Sequence, residues 1–217
     1  MRLVILLLAI LVVGCGVTAE TPSHPMAMNC PALLSEQELI VNFSQEMLEE
    51  GKPHAALANL QRLSDENPEV RWRKARIMRL LGDASAVTLY QSLLGTCLEA
   101  RGLHGLGQMD FAKGNYHRAL DYFRKAAELA PADDAVRNDM GLVYMHLRRL
   151  QDARFELLTA LELNQANPQP VDNLLTLLLY QDMQREAKGL VESQNMSPER
   201  LSLAKQRARE MLAADRR

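Results

Sequence analysis

The sequence predicts an all-α chain, a stack of antiparallel helix pairs, and three observations carry that prediction. Beyond Glu36, Leu, Ala, Gln, Arg and Glu dominate and apolar residues recur at three and four, while Val and Ile do not alternate with polar residues as in a half-buried strand. Pro68, Pro131, Pro168 and Pro198 fall between the periodic stretches, where proline starts or ends helices. The third observation is self-similarity. Shifting the stretch from Leu103 to Pro131 by 34 residues lays Gly107 on Gly141, Ala119 on Ala153, Phe123 on Leu157, Ala126 on Ala160 and Leu129 on Leu163.

A fixed period of 34 with small residues at these offsets is the signature of tetratricopeptide repeats (TPR). The expected architecture is a TPR superhelix of about five helix-turn-helix units and a C-terminal capping helix. Taken in order, residues 1–14 read as a lipoprotein signal peptide. Arg2 precedes an apolar run from Leu3 to Val13 that is too short for a bilayer span, which needs roughly 20 residues. The run ends in Val12-Val13-Gly14-Cys15, where a small residue precedes a cysteine able to carry a diacylglyceryl group. Cys15 is thus the expected lipid attachment point, and the alternative is an ordinary cleaved signal in which Cys15 is incidental. By resemblance to bacterial lipoproteins, Gly16 in place of Asp favours the outer membrane over retention at the inner one. Residues 15–35, with three prolines before Leu33 and little periodicity, read as a lipidated tether.

The repeat domain is expected over residues 36–217. Its first unit, about 37–70, is marked by Gly51, Ala56, Leu60, Leu63 and Pro68. A looser second unit, 69–99, carries Trp72 and Ala75 on its first helix and Ala86, Tyr90 and Leu93 on its second. The third and fourth units, 100–133 and 134–167, keep the exact period. There Gly107 and Gly141 let the first helix (A) approach the second (B), Ala119 and Ala153 do the same from helix B, and Phe123 fills the gap between hairpins. Leu174, Leu178, Ala187 and Val191 continue the phase in a degenerate fifth unit, 168–197. Ser197-Pro198-Glu199-Arg200 opens a final helix, 198–214, whose Arg200, Lys205, Arg207, Arg209 and Glu210 suit a solvent-facing cap.

Composition narrows the function. Without Arg2 the 25 basic residues become 24 against 27 acidic ones, and no basic stripe interleaved with aromatics appears, which argues against nucleic acid. His24, His54, His104, His117 and His146 show no metal-ligand spacing, and neither G-x-S-x-G nor a P-loop is present. The run Gly102-Leu103-His104-Gly105-Leu106-Gly107 has a phosphate-loop look but follows no strand, and Gly107 is already explained by helix packing. No catalytic pair, cofactor or metal site is expected beyond the lipid on Cys15. Cys30 and Cys97 are candidates for a disulfide in an oxidising periplasm; two unpaired thiols are the alternative.

A partner is expected in the groove lined by the A helices. Counting within each unit points to Arg101, His104, Gln108 and Phe111 in the third, Asn138, Leu142 and Met145 in the fourth, and Asp172, Thr176, Leu179 and Tyr180 in the fifth. Apolar side chains with a few amides and a hydroxyl suit an internal peptide segment or amphipathic helix. Met140 and Met145 would add adaptable surface. The competing reading packs Leu142, Met145 and Leu179 against the next hairpin and leaves the groove shallow. TPR proteins that grip a free C-terminal carboxylate use Lys and Asn at set groove positions; His104, Gln108, Asn138 and Leu142 stand there instead, so that clamp is not formed.

The lipobox cysteine, the repeats, the run from Val136 to Leu142, and the later Pro170-Val171-Asp172-Asn173-Leu174 and Ala187-Lys188-Gly189-Leu190 resemble the TadD lipoproteins of tight-adherence (Flp) pilus assembly systems. The chain departs from the family's Asn-Asn pair at Asn138-Asp139. The resemblance implies a non-enzymatic, pilotin-like scaffold on the periplasmic face of the outer membrane, holding a segment of the secretin or another pilus-assembly component. An adaptor that docks and regulates peptidoglycan-modifying enzymes is the second expectation.

Overall fold

The computed structural model describes residues 29–216, which form eleven α-helices and no strand. The signal peptide, Cys15 and most of the tether lie outside the described residues. The helices pair as hairpins: α1 (Ser35–Glu49) with α2 (Pro53–Leu60), α3 (Pro68–Leu80) with α4 (Ala86–Gln91), and α5 (Glu99–Ala112) with α6 (Tyr116–Leu129). They continue with α7 (Asp134–His146) and α8 (Leu150–Leu163), then α9 (Pro168–Tyr180) and α10 (Gln184–Ser193), and end with α11 (Pro198–Ala214). Among the described residues no helix is long and apolar enough to cross a membrane.

Local chemistry sets the helix starts. Asn67 and Asn167 accept from the backbone N–H two residues on, at 2.9 and 3.0 Å, and the proline that follows each has no N–H to leave unsatisfied. Asp133 accepts from the N–H groups of Ala135 and Val136, at 3.0 and 3.1 Å, a carboxylate on the positive end of α7.

The turn inside each hairpin needs a left-handed residue. Gly51, Gly82 and Gly114 fill it in the first three hairpins, at φ of 75° to 76°. In the last two the same turn is made by Arg148 at φ 58° and Asp182 at φ 57°. These residues keep the 34-residue step from Gly114 but lack the glycine that marks it.

The packing explains the repeat. A Cβ on Gly107 would lie 2.4 Å from the Phe123 ring, and one on Gly141 would lie 2.6 Å from Leu157. Ala119, Ala126, Ala153 and Ala160 are fully buried, so the two helices of each unit meet through small residues. Gly102 and Gly105 of the loop-like run pack on α4: a Cβ at 105 would fall 2.1 Å from the Tyr90 ring. That run is helical throughout and serves interhelical contact. Leu129 and Leu163, which matched across the repeat, are half exposed at the ends of α6 and α8.

The core divides along the stack. Val41, Ala56, Leu60, Val70 and Ile77 form one cluster, a second centres on Tyr90 and Leu93, and a third runs from Leu103 to Ala204. Cys30 is bonded to Cys97, with Cα atoms 5.2 Å apart, so the segment before α1 is tied to the turn before α5.

The capping helix does more than terminate the stack. It lies along α9, the inner helix of the last hairpin. Leu201, Ala204, Ala208 and Met211 form its inward face, with both alanines buried. Arg200 does not face solvent alone, since it donates to Asp172 at 2.9 Å and to the Pro168 carbonyl at 3.2 Å. Lys205, Arg207, Arg209 and Glu210 are exposed.

Candidate functional site: the inner groove

The A helices α3, α5, α7 and α9 line a cavity of about 880 Å³ whose remaining wall is α11. Gln108, Phe111, Asn138, Leu142, Met145, Asp172 and Thr176, seven of the residues sequence counting points to, line it. Phe111 and Leu142 are partly buried, while Met140 and Met145 are buried in the core. The two methionines therefore act as packing residues, and Met145 offers only an edge to the groove.

Four expected groove residues lie outside this cavity. Arg101 stacks on Trp72, with its guanidinium carbon 4.2 Å from the ring centroid, and reaches Glu69 at 3.3 Å. Tyr180 donates to Asp215 at 2.5 Å, beyond the end of α11. His104 meets Asp139 at 2.8 Å. Leu179 faces a separate crevice between α9, α10 and α11.

His104 belongs to a polar ladder that crosses three A helices. Gln108 donates to the same Asp139 oxygen at 2.8 Å, Asn138 donates to the other at 3.1 Å, and Asn173 donates to the Asn138 carbonyl oxygen at 2.8 Å. Burial alone would raise the Asp139 pKa. The bond and charge of His104 with the bonds from Gln108 and Asn138 outweigh it and hold the carboxyl below its ordinary value. Asn138 is only 2% exposed with both ends of its amide engaged, so it is a register element more than a free hand for a ligand. Asp139 is the hub of this network.

Elsewhere in the groove, charge is mostly neutralised. Asp172 is held by Arg200, and Arg148 by Asp215. His146 stacks on Tyr116 at 4.5 Å and meets Phe111 edge-on at 5.1 Å, which closes one end with aromatic surface. Among the described residues no group of three His, Cys, Asp or Glu side chains is arranged to hold a metal. The arrangement offers an apolar floor, a few amides and a charged rim, which suits capture of a polypeptide.

Sequence counting did not find Arg79, Leu80, Asp139, His146 or the α11 wall of Arg207, Glu210, Met211 and Ala214. A signal for that wall was present. Val171, Leu174, Leu175, Leu177 and Leu178 surround α9 with apolar side chains, more than one neighbouring hairpin covers, so a further helix had to lie along it.

Comparison with known proteins agrees with this geometry. The profile of the tetratricopeptide repeat family matches residues 110–178. The chain is 38% identical over 204 residues to the TPR repeat-containing protein PA4299 of Pseudomonas aeruginosa, covering 94% of this chain and 82% of that protein. Among solved structures it is similar to TTC0263, a thermophilic TPR protein of Thermus thermophilus (TM-score 0.62, 20% identity, 82% and 99% of the two chains). It is also similar to PilF of Pseudomonas aeruginosa (TM-score 0.63, 18% identity, 82% and 87%). At these identities the structures share the fold. Periodic packing, the inner groove and a relative matched over most of both chains together make the chain a member of the tetratricopeptide-repeat family, whose modules serve as protein-interaction scaffolds.

Proposed function

We propose that this chain is a lipid-anchored, non-enzymatic scaffold of tight-adherence pilus assembly, holding a segment of the secretin or a neighbouring component at the periplasmic face of the outer membrane. The observation that carries the reading is the groove itself: an apolar floor of Phe111 and Leu142 enclosed by four A helices and α11. The Leu3–Cys15 run supports the anchor, and the resemblance of the segments around Asn138, Asp172 and Ala187 to TadD supports the pilus system. In this reading the mechanism is tethering. A lipid holds one partner in the membrane, and the groove raises the local concentration of the other there, with no bond made or broken.

Replacing Cys15 with Ser tests it in cells. The variant is expected to leave the membrane fraction while staying folded, and the amount of assembled secretin in the outer membrane is expected to fall with it. Full secretin assembly with Cys15→Ser, or with the gene deleted, overturns the pilotin-like role.

A further inference from the structure

The groove has a charge preference that its apolar floor does not reveal. Arg79 of α3 lines it, with its guanidinium beside the Tyr90 hydroxyl and in no ion pair among the described residues. Arg207 of α11 lines the facing wall and joins no ion pair among the described residues. Arg76, one turn before Arg79, is bound only to the neutral Gln45 amide oxygen, at 3.0 Å, and Arg73 shares that oxygen. Burial and the neighbouring charges of Arg73 and Arg79 lower the pKa of Arg76, outweighing the opposite pull of Tyr90 and Glu49.

The carboxylates nearby are committed. Asp139 is held by His104 and Gln108, Asp172 by Arg200, and Glu69 by both Arg73 and Arg101. Glu210, three residues beyond Arg207, is bonded to Gln206 at 2.9 Å and is the one carboxylate of the wall outside an ion pair. Arg79 and Arg207 are thus the groove's unpaired cations among the described residues, with Glu210 the unpaired acid beside them.

We infer that the groove selects an acidic segment of a partner polypeptide, with carboxylates paired to Arg79 and Arg207 and an apolar side chain seated between them on Phe111 and Leu142. Guanidinium groups bind carboxylates in a two-pronged geometry, and Arg79 and Arg207 line the cavity with no carboxylate of the described residues paired to them. A flat anionic membrane does not reach these groups, because they face one another across a cavity with walls on every A helix from α3 to α9.

The inference rests on the groove being a polypeptide site, and its test separates the two. A library of random nine-residue peptides, flanked on both sides so that no free terminus is presented, is panned against the full chain. The expected result is enrichment of Asp or Glu flanking an apolar residue. Selected peptides should bind about tenfold more weakly to Arg79→Gln and to Arg207→Gln, more weakly in high salt, and with an intermediate loss to Arg79→Lys, which keeps the charge without the two-pronged geometry. Thermal melts of the variants confirm that the fold is kept, and exposed Arg207 on α11 gives a reading independent of the half-buried Arg79. Enrichment of basic or wholly apolar sequences, or acidic peptides indifferent to both variants, overturns the charge preference while leaving the groove as a binding site. Failure to enrich any sequence contradicts the groove reading as well, and binding to anionic vesicles in place of peptides overturns the inference in favour of lipid.

Discussion

The same substitution, glycine to alanine, is expected to act in opposite senses at Gly107 and Gly189. Both lie inside helices, where alanine is favoured over glycine by about 0.5–1 kcal/mol through lower backbone entropy in the unfolded chain. At Gly189 of α10 a new Cβ meets nothing within 4 Å, so that gain stands alone. At Gly107 the Cβ would lie 2.4 and 2.5 Å from two atoms of the Phe123 ring, and the ring is 1% exposed with nowhere to move. Overpacking of this kind costs about 1–3 kcal/mol, which exceeds the helix-propensity gain. Gly189→Ala should therefore shift a urea midpoint upward and Gly107→Ala shift it downward, by a net of about 1–2 kcal/mol at unchanged slope. In a Phe123→Ala background, itself worth about 3–5 kcal/mol, alanine at 107 should cease to be penalised. Equal signs for the two substitutions, or a penalty at 107 that persists without the ring, would refute the assignment of Gly107 to the A–B contact.

Three further outcomes are expected. Cys97→Ser opens a cross-link spanning 67 residues, which on the chain-entropy account stabilises by about 4 kcal/mol; a melt of the reduced protein should fall with that of the variant, and an unchanged melt under reductant contradicts the bond's contribution. Asp182→Gly should stabilise by about 1 kcal/mol, since Asp182 holds a left-handed turn that glycine adopts freely, and destabilisation would contradict that strain. Asp139 has a folded pKa below its unfolded value of about 3.9, so its contribution is fully present above that pH and is lost as pH falls through the folded value. Asp139→Asn should accordingly flatten the acid side of the stability profile, and an unaltered acid limb would remove Asp139 from its place at the centre of the ladder.

How much of this was legible follows from how far each feature depends on its own segment. The third and fourth hairpins could be read because Gly107, Gly141, Ala119 and Ala153 are each fixed by a neighbour within the same unit. The turns at Arg148 and Asp182 could not be read as turns from residue type, because the fold imposes a left-handed backbone on residues that do not favour it. The groove was half legible. Gln108, Phe111, Leu142 and Thr176 follow from helix phase, whereas the ladder through Asp139 depends on three units stacking in register. Asn138 and Tyr180 illustrate the limit: both sit on the helices counting assigned them to, yet Asn173 and Asp215 already occupy their polar groups. The inner wall of α11 needs knowledge that a distant helix folds back along α9, which only the excess of apolar residues on α9 hints at.

The central claim is that the concave surface grips a polypeptide, and a photoreactive residue in place of half-buried Leu142 tests it most directly, with Glu128 on the exposed outer face of α6 as the comparison position. In living cells the account predicts one discrete crosslinked polypeptide from position 142 and none from position 128. Equal crosslinking from both positions, or none from 142 in cells that express the assembled system, would contradict it.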